Sequence, residues 1–238
     1  MNINEKFWNE NFEKGYYDKL ISSGLLNGRN FQANWHNCTY LNVKKYINQR
    51  DNHLDYACGS GTFIGRYLYN NSVGIDISKD QIDYALETFG NKNNFYVINE
   101  FEKIKKQKFD VITVLGLIEF LKQEDINNLL KRLNELINED GRIIITTPNF
   151  SSIFVIIQKI SRFFGVKNYE NVTITKLTKK SLRGLLEKHY SDVVIKKIIN
   201  PGLLLSILNN NLGIFADNFL GRLLLNKFGF ILLAVVKK

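Results

Sequence analysis

The feature that most constrains this chain is an alternation of short apolar runs with helical stretches, and no hairpin turn joins the runs. His53–Ala57, Val73–Ile77, Phe95–Ile98, Val111–Leu115 and Arg142–Thr147 read as strands, rich in β-branched and aromatic residues. Between them, the stretch through Asn70, Lys79–Phe89 and Gln123–Ile137 read as helices. The last places Ile126, Leu129, Leu130, Leu133, Leu136 and Ile137 on one face at helical period, and Gly141 is expected to end it. Thr178–His189 reads as a further helix, with His189 as a C-terminal cap, and Val193–Ile198 and Phe230–Val236 as late strands. Strands that alternate with helices imply an α/β chain whose parallel sheet is covered by helices on both faces.

Two regions depart from the alternation. Residues 1–50 look helical and polar with scattered aromatics (Phe7, Trp8, Phe12, Tyr16, Tyr17, Phe31, Trp35), and are expected to form a helical lid on a main domain of residues 51–238. A helical cap insertion is expected at about residues 151–180. Over Ser151–Gly165 it gathers Ile153, Ile156, Ile157, Ile160, Phe163 and Phe164 on one face, to pack on the core, wall an apolar substrate or touch a membrane edge.

Composition removes several classes of function. Two cysteines, Cys38 and Cys58, cannot build a disulfide framework or a structural zinc site, and three histidines make a His-built metal centre unexpected. The polar start carries no secretory pattern, and the most apolar run, Phe219 to Val236, is interrupted by Arg222, Asn226 and Lys227. The expectation is a soluble cytoplasmic protein with no transmembrane segment. Its net charge of +9 is uneven: residues 1–150 hold 18 Lys and Arg against 19 Asp and Glu, residues 151–238 hold 14 against 4. A basic solvated face or an anionic partner near the C-terminal third would each explain this.

The chemistry concentrates where the first strand meets its helix, in Leu54-Asp55-Tyr56-Ala57-Cys58-Gly59-Ser60-Gly61-Thr62. Gly59 and Gly61 let a ligand approach the backbone where a Cβ would block it. Asp76 ends the second strand, where a carboxylate can accept hydrogen bonds from both ribose hydroxyls of a nucleoside cofactor. Gly59, Gly61 and Gly65 give G-x-G-x-x-x-G, one residue out of step with a pyrophosphate-seating fingerprint. Asp55 ahead of the glycines suits a cationic amino-acid head group better than a pyrophosphate. Together these point to S-adenosylmethionine.

The same residues resemble motif I of class I S-adenosylmethionine-dependent methyltransferases, and Val73-Gly-Ile-Asp-Ile-Ser78 resembles their motif II. Phe109-Asp-Val-Ile112, Leu117-Ile-Glu-Phe-Leu121, Gly141-Arg-Ile-Ile-Ile-Thr-Thr-Pro-Asn149 and the ending from Phe228 resemble later family segments in order. The resemblance implies a Rossmann-like, mostly parallel seven-stranded sheet with an antiparallel last strand. It implies that Asp55 meets the methionine amino group with backbone help from Cys58, Gly59 and Gly61, that Asp76 holds the ribose, and that Ile77 lies on the adenine. Glu100 sits where the family usually has an Asp at the adenine amine, with the Phe101 N–H beside it, and Leu115 lines the sulfonium end. Phe120 stands where relatives often have a His, so the catalytic base stays unassigned. Cys58 reads as a packing residue, Glu119 as a solvated acid or one facing the substrate, and Trp35-His36 resembles a Trp–His pair ahead of motif I in some relatives.

Leu115-Gly116-Leu117 replaces the N/D-P-P-aromatic signature of amino-methylases of bases, and no RNA-binding module is appended, so a nucleic-acid acceptor is not expected. The pattern is most similar to ubiquinone-biosynthesis-type O-methyltransferases and to methyltransferases of glycan and antibiotic pathways. It implies a small-molecule or lipid-linked acceptor methylated at oxygen, and the apolar, basic insertion would suit one that is amphiphilic or anionic. The alternatives are a non-catalytic partner subunit built on the cofactor fold and an NAD-dependent dehydrogenase.

Overall fold

The computed structural model describes residues 3–68, 71–151 and 172–238. Three helices come first: α1 (Ile3–Asn11), α2 (Tyr16–Asn27) and α3 (Phe31–Lys44). Gly28 closes α2 in the left-handed conformation (φ 68°). Asn30 then opens α3, its side chain accepting the Ala33 N–H at 2.8 Å.

The alternating part follows as β1 (His53–Tyr56), β2 (Ser72–Asp76), α4 (Lys79–Phe89), β3 (Asn94–Val97), β4 (Phe109–Leu115), α5 (Gln123–Leu136) and β5 (Ile137–Pro148). It ends with α6 (Lys179–Leu186), β6 (Asp192–Ile198), α7 (Asn210–Leu223) and β7 (Ile231–Lys237). All seven strands form one sheet in the order β3-β2-β1-β4-β5-β7-β6. β1 to β5 pair in parallel, and β7 runs antiparallel between β5 and β6. This is the mixed, Rossmann-like sheet expected of the chain.

Side-chain alternation divides the core between the two faces. Ile112 and Val114 of β4, with Ile143 and Ile145 of β5, pack with Leu130 and Leu133 of α5 and Leu182 and Leu186 of α6. Val111 and Ile144, one position out of step, turn to the other face, where Val43 of α3 and Phe63 join them. A smaller cluster sets Ile82 and Ala85 of α4 against Phe95 of β3.

Three expected element bounds shift for physical reasons. The helix after the glycine turn is a single π turn, Phe63–Tyr67, where Gly65 lies so tight on Phe89 that a Cβ would stand 2.2 Å from the ring. Gly141 does not end α5. The helix stops at Leu136, Ile137 already pairs with Phe109, and Gly141 lies in a register shift where a Cβ would meet Ile137 at 2.6 Å. The helix expected to run to His189 stops at Leu186, whose carbonyl accepts the His189 N–H at 2.9 Å, while the His189 ring Nε2 meets Asn127 Oδ1 at 3.2 Å and burial with Lys131 and Lys188 lowers its pKa. The cap insertion expected at about residues 151–180 lies mostly outside the described residues, and of its described end, residues 172–178 form no helix.

Candidate active site

A turn of strained backbone stands at the carboxyl end of β1. Ala57 and Cys58 both donate to the Ile75 carbonyl, at 2.8 and 3.0 Å, which ties the turn to β2. Ala57 adopts φ 67°, rare for a residue with a Cβ, and Gly59 and Gly61 follow at 53° and 71°. The two glycines do different things. At Gly59 a Cβ would meet nothing within 4 Å, so that position is open to a ligand, whereas at Gly61 it would strike Phe95 at 2.8 Å and Ala85 at 2.9 Å.

Asp76 clasps the turn from the neighbouring strand. Its Oδ2 accepts the Gly59 N–H at 2.8 Å and its Oδ1 the Ser78 N–H at 2.9 Å. A carboxylate offers about four lone-pair directions. Both oxygens therefore keep capacity for two further donors, as a ribose diol requires. Burial raises the Asp76 pKa against these backbone hydrogen bonds.

Asp55 lies beneath the turn, outside the cavity lining. Its Oδ1 accepts from Thr113 Oγ1 at 2.6 Å, and burial pushes its pKa up to about 7. Thr113 also meets His53 Nε2 at 2.9 Å, and His53 Nδ1 meets Ser72 Oγ at 2.9 Å, a buried polar chain running across three strands. Burial alone lowers the His53 pKa to about 3, which keeps its ring neutral there.

A cavity of about 330 Å³ opens above the turn. Its floor is the strand ends: Cys58 to Ser60 after β1, Asp76 to Ser78 after β2, Leu115 to Leu117 after β4 and Thr146 to Pro148 in β5. This is where open α/β sheets bind ligands. Its roof is aromatic, with Trp8 from α1, Phe12 from the bend after it, Tyr17 from α2 and Trp35, His36 and Tyr40 from α3. Trp8 stands edge-on to Phe120 at 5.3 Å, Tyr17 edge-on to His36 at 5.3 Å, and Trp35 stacks on Phe230 at 5.9 Å. Gln81 of α4 holds the roof in place by donating to the Glu13 carbonyl at 3.0 Å and accepting the Gly15 N–H at 3.2 Å. Burial depresses the His36 pKa to about 4, so its imidazole is neutral at physiological pH.

Glu119 lies in the cavity wall, 4% exposed. Among the described residues four buried side-chain polar atoms lack a hydrogen-bond partner, and two of them, Glu119 Oε2 and Thr147 Oγ1, belong to this wall. A buried polar atom left unpaired is costly and calls for an explanation in function. Burial pushes the Glu119 pKa up to about 7, opposed by its own backbone N–H and by the neighbouring Thr147 hydroxyl.

Of the residues singled out in the sequence, Cys58, Gly59, Asp76, Ile77, Leu115, Trp35, His36 and Glu119 meet around this one cavity, and Asp55 and Gly61 support its floor. Glu100 and Phe101 are not among the lining residues. Glu100 accepts the Val97 N–H at 3.2 Å and pairs with Lys103, while Phe101 packs into the core under the Arg132 guanidinium at 4.7 Å. The Cys58 thiol packs against Gly74, and burial raises its pKa well above the usual thiol range. Trp8, Phe12 and Tyr17 are lining residues that the sequence showed only as scattered aromatics, without a period to mark them, and Tyr40 is a lining residue the sequence reading did not single out.

Strand order, glycine turn and acid at the end of β2 together define a class I S-adenosylmethionine-dependent methyltransferase. The sequence profile of a methyltransferase domain matches residues 32–191, and the chain belongs to that family. An uncharacterized protein of Methanocaldococcus jannaschii is 31% identical over 179 residues, 69% of this chain and 64% of the relative. A tRNA (guanine-N(7)-)-methyltransferase of Clostridium botulinum is 32% identical over 90 residues, 36% of this chain and 40% of that protein. The chain thus spans less than two thirds of these curated relatives. Among solved structures, a SAM-dependent methyltransferase from Archaeoglobus fulgidus shares the fold with a TM-score of 0.59 at 20% identity, covering 84% of this chain and 93% of that one. Magnesium protoporphyrin IX methyltransferase from Synechocystis, solved with bound SAH, does so at 0.55 and 13%, covering 99% of both.

Proposed function

We propose that the chain methylates a hydroxyl oxygen of a small amphiphilic acceptor, free or lipid-linked, held under the aromatic roof. The cofactor, S-adenosylmethionine, supplies an activated methyl group. The chain's own residues align the acceptor with it, exclude water and receive the acceptor's proton.

Asp76 would hold the ribose, Ile77 would lie on the adenine, and the backbone from Cys58 to Gly61 would face the amino-acid end with Asp55 charge-paired to its ammonium. Leu115 would line the end where the methyl group sits. The helices of residues 1–50 act as a lid whose aromatic side chains wall the acceptor, with Trp35 and His36 as its contacts. The acceptor's anionic character, and contact of the protein with a membrane edge, follow from the basic C-terminal third.

The observation that carries this reading is Glu119. A buried carboxylate in the cavity wall beside Thr147, with one oxygen in no hydrogen bond, is placed to take a proton from a phenolic or sugar hydroxyl. A pKa near the working pH is what a general base needs. A nitrogen that attacks through a free lone pair and carries no proton to lose, as in an aromatic ring, would not need such a base.

Incubation with S-adenosylmethionine and quinols, sugars or lipid extracts, followed by mass spectrometry, tests it. The expected product is an O-methyl ether whose formation is lost in Glu119→Gln. Methylation at nitrogen, or wild-type turnover by Glu119→Gln, would overturn it. A second reading, methylation of guanine N7 in RNA, draws on the tRNA (guanine-N(7)-)-methyltransferase relatives and on the basic C-terminal third. N7 carries its own lone pair, so under that reading Glu119→Gln keeps its activity.

A further inference from the structure

Helix α7 is built inside out. Its buried face is Asn210, Gly213, Asp217 and Gly221, a polar and small stripe at helical spacing. Its outward stripe is Leu212, Phe215, Phe219 and Leu223, exposed by 43%, 69%, 57% and 65%. An ordinary surface helix has the opposite arrangement.

The inward side is specified by polar contacts. Asn34 Nδ2 donates to the Asn210 carbonyl at 3.0 Å, and Asn210 in turn donates to the Gly24 carbonyl at 3.1 Å and accepts the Asn30 N–H at 2.9 Å. Asp217 accepts the Asn200 N–H, and Gly213 and Gly221 permit approaches that a Cβ would close at 2.0 and 2.7 Å. These contacts fix the rotation of the helix, so the apolar stripe faces outward by construction. Phe215 and Phe219 stack with ring centroids 6.4 Å apart and 14° between planes. Leu26, 88% exposed at the end of α2, joins this face because Asn210 donates to the Gly28 carbonyl at 2.7 Å. Leu225, 87% exposed, follows α7 directly. So much contiguous exposed apolar surface marks an interaction site.

Charge selects the occupant. Residues 19–50 and 199–230, the two stretches that meet here, contain seven Lys and Arg and one acid, Asp217, which is turned inward onto Asn200. Arg29 follows the α2 end, Arg222 lies on α7 and Lys227 just beyond it, all three exposed, and neither stretch holds an exposed carboxylate. A second copy docking through a two-fold axis would set basic rim against basic rim with no acid from these stretches to neutralise it. An apolar stripe within a basic rim matches an anionic lipid bilayer, which takes up the aromatics at the acyl boundary and pairs the cations with headgroups.

We propose that the face formed by α7, Leu225 after it and the end of α2 docks the protein onto an anionic phospholipid bilayer. The inference gives a location to the membrane contact named above and so rests on that reading. The test below requires no acceptor and no turnover, so the two fail separately.

The test is flotation of the full chain with vesicles of phosphatidylcholine alone and of equimolar phosphatidylcholine and phosphatidylglycerol. The wild type is expected to float with the anionic vesicles only and to be released by salt. Phe215→Gln with Phe219→Gln, and separately Arg222→Glu with Lys227→Glu, should each weaken binding about tenfold or more. S-adenosylmethionine affinity should not change in either, since none of the four residues lines the cavity. Phe219→Trp should show a blue-shifted emission on the same vesicles, reporting insertion directly. Wild type left in solution with anionic vesicles, or flotation undiminished in the double Phe variant, would overturn the proposal. So would a concentration-dependent dimer that the double Phe variant abolishes, since the face would then belong to a second copy. If soluble quinols are still methylated while flotation fails, the docking face is wrong and the acceptor reading stands.

Discussion

Asp55→Asn is the substitution that separates the stability of the fold from its grip on the cofactor. Asp55 is 2% exposed, and burial pushes its carboxyl up to about 7 against the opposing Thr113 hydrogen bond, with the Asp76 charge adding to the rise. An unfolded aspartate titrates near about 3.9. Below that value both states hold the proton and Asp55 contributes nothing to pH dependence. Between the two values the native state keeps the proton and the unfolded state releases it, so stability falls as pH rises, by about 1.4 kcal/mol per unit. Above about 7 the loss is complete and reaches up to ~4 kcal/mol. Asparagine cannot ionise and escapes it.

The ligand-free variant is therefore predicted to gain about 2–4 kcal/mol at about pH 8, or roughly 5–15 °C in Tm for a domain of this size, with the gain shrinking by more than half toward about pH 5. Cofactor binding moves the other way. Under the proposed pairing of Asp55 with the cationic head group, Asp55→Asn should lose about 1.5–3 kcal/mol of affinity, roughly ten- to a hundredfold. Wild-type affinity should weaken as pH drops through about 7, and the variant's should not. Thermal unfolding at the two pH values, with and without S-adenosylmethionine, reads both effects. Equal Tm shifts at both pH values, or wild-type affinity in the variant, would refute the reasoning.

Other perturbations read other parts of the account. Wild-type turnover should rise as pH passes about 7 and Glu119 loses its proton, and Glu119→Gln should flatten that limb while kcat falls about 10²- to 10⁴-fold, as a pH–rate profile would show. Asp18, 1% exposed, accepts from Arg66 Nε at 2.6 Å, Arg66 Nη2 at 2.7 Å and the Tyr84 hydroxyl at 2.8 Å, tying α2 to the π turn and to α4. Asp18→Ala should cost about 3 kcal/mol in urea unfolding, because Arg66 keeps partial solvation once its partner is gone. Gly61→Ala, at φ 71° and against Phe95, should cost about 2–4 kcal/mol in the same assay.

The parallel strands were legible because each is a short apolar run, and a strand buried on both faces needs little else. The β1 turn and Asp76 were legible for a different reason: glycine and acid at strand ends are local signals. Hidden features depend on distant partners. The early start of β5 is set by pairing of Ile137 with Phe109, not by anything near Gly141. The roof aromatics follow no period because α1, α2 and α3 each contribute few of them. Helix α7 was hidden because its apolar residues mark the outside, so its periodicity merged into the run from Phe219 to Val236. In the structure that run is broken at Leu225 and Asn226, both at positive φ. The neighbourhood of Glu100 could not be read from its count along the chain, since its carboxylate is engaged by the Val97 N–H and by Lys103.

Calorimetric titration of S-adenosylmethionine into the wild type and Asp76→Ala tests the central claim most directly. The account predicts micromolar binding by the wild type, and a loss of about a hundredfold or more when the carboxylate that clasps Gly59, and is proposed to hold the ribose, is removed. A folded wild type that binds no S-adenosylmethionine, or an Asp76→Ala variant that binds it as tightly, would contradict it.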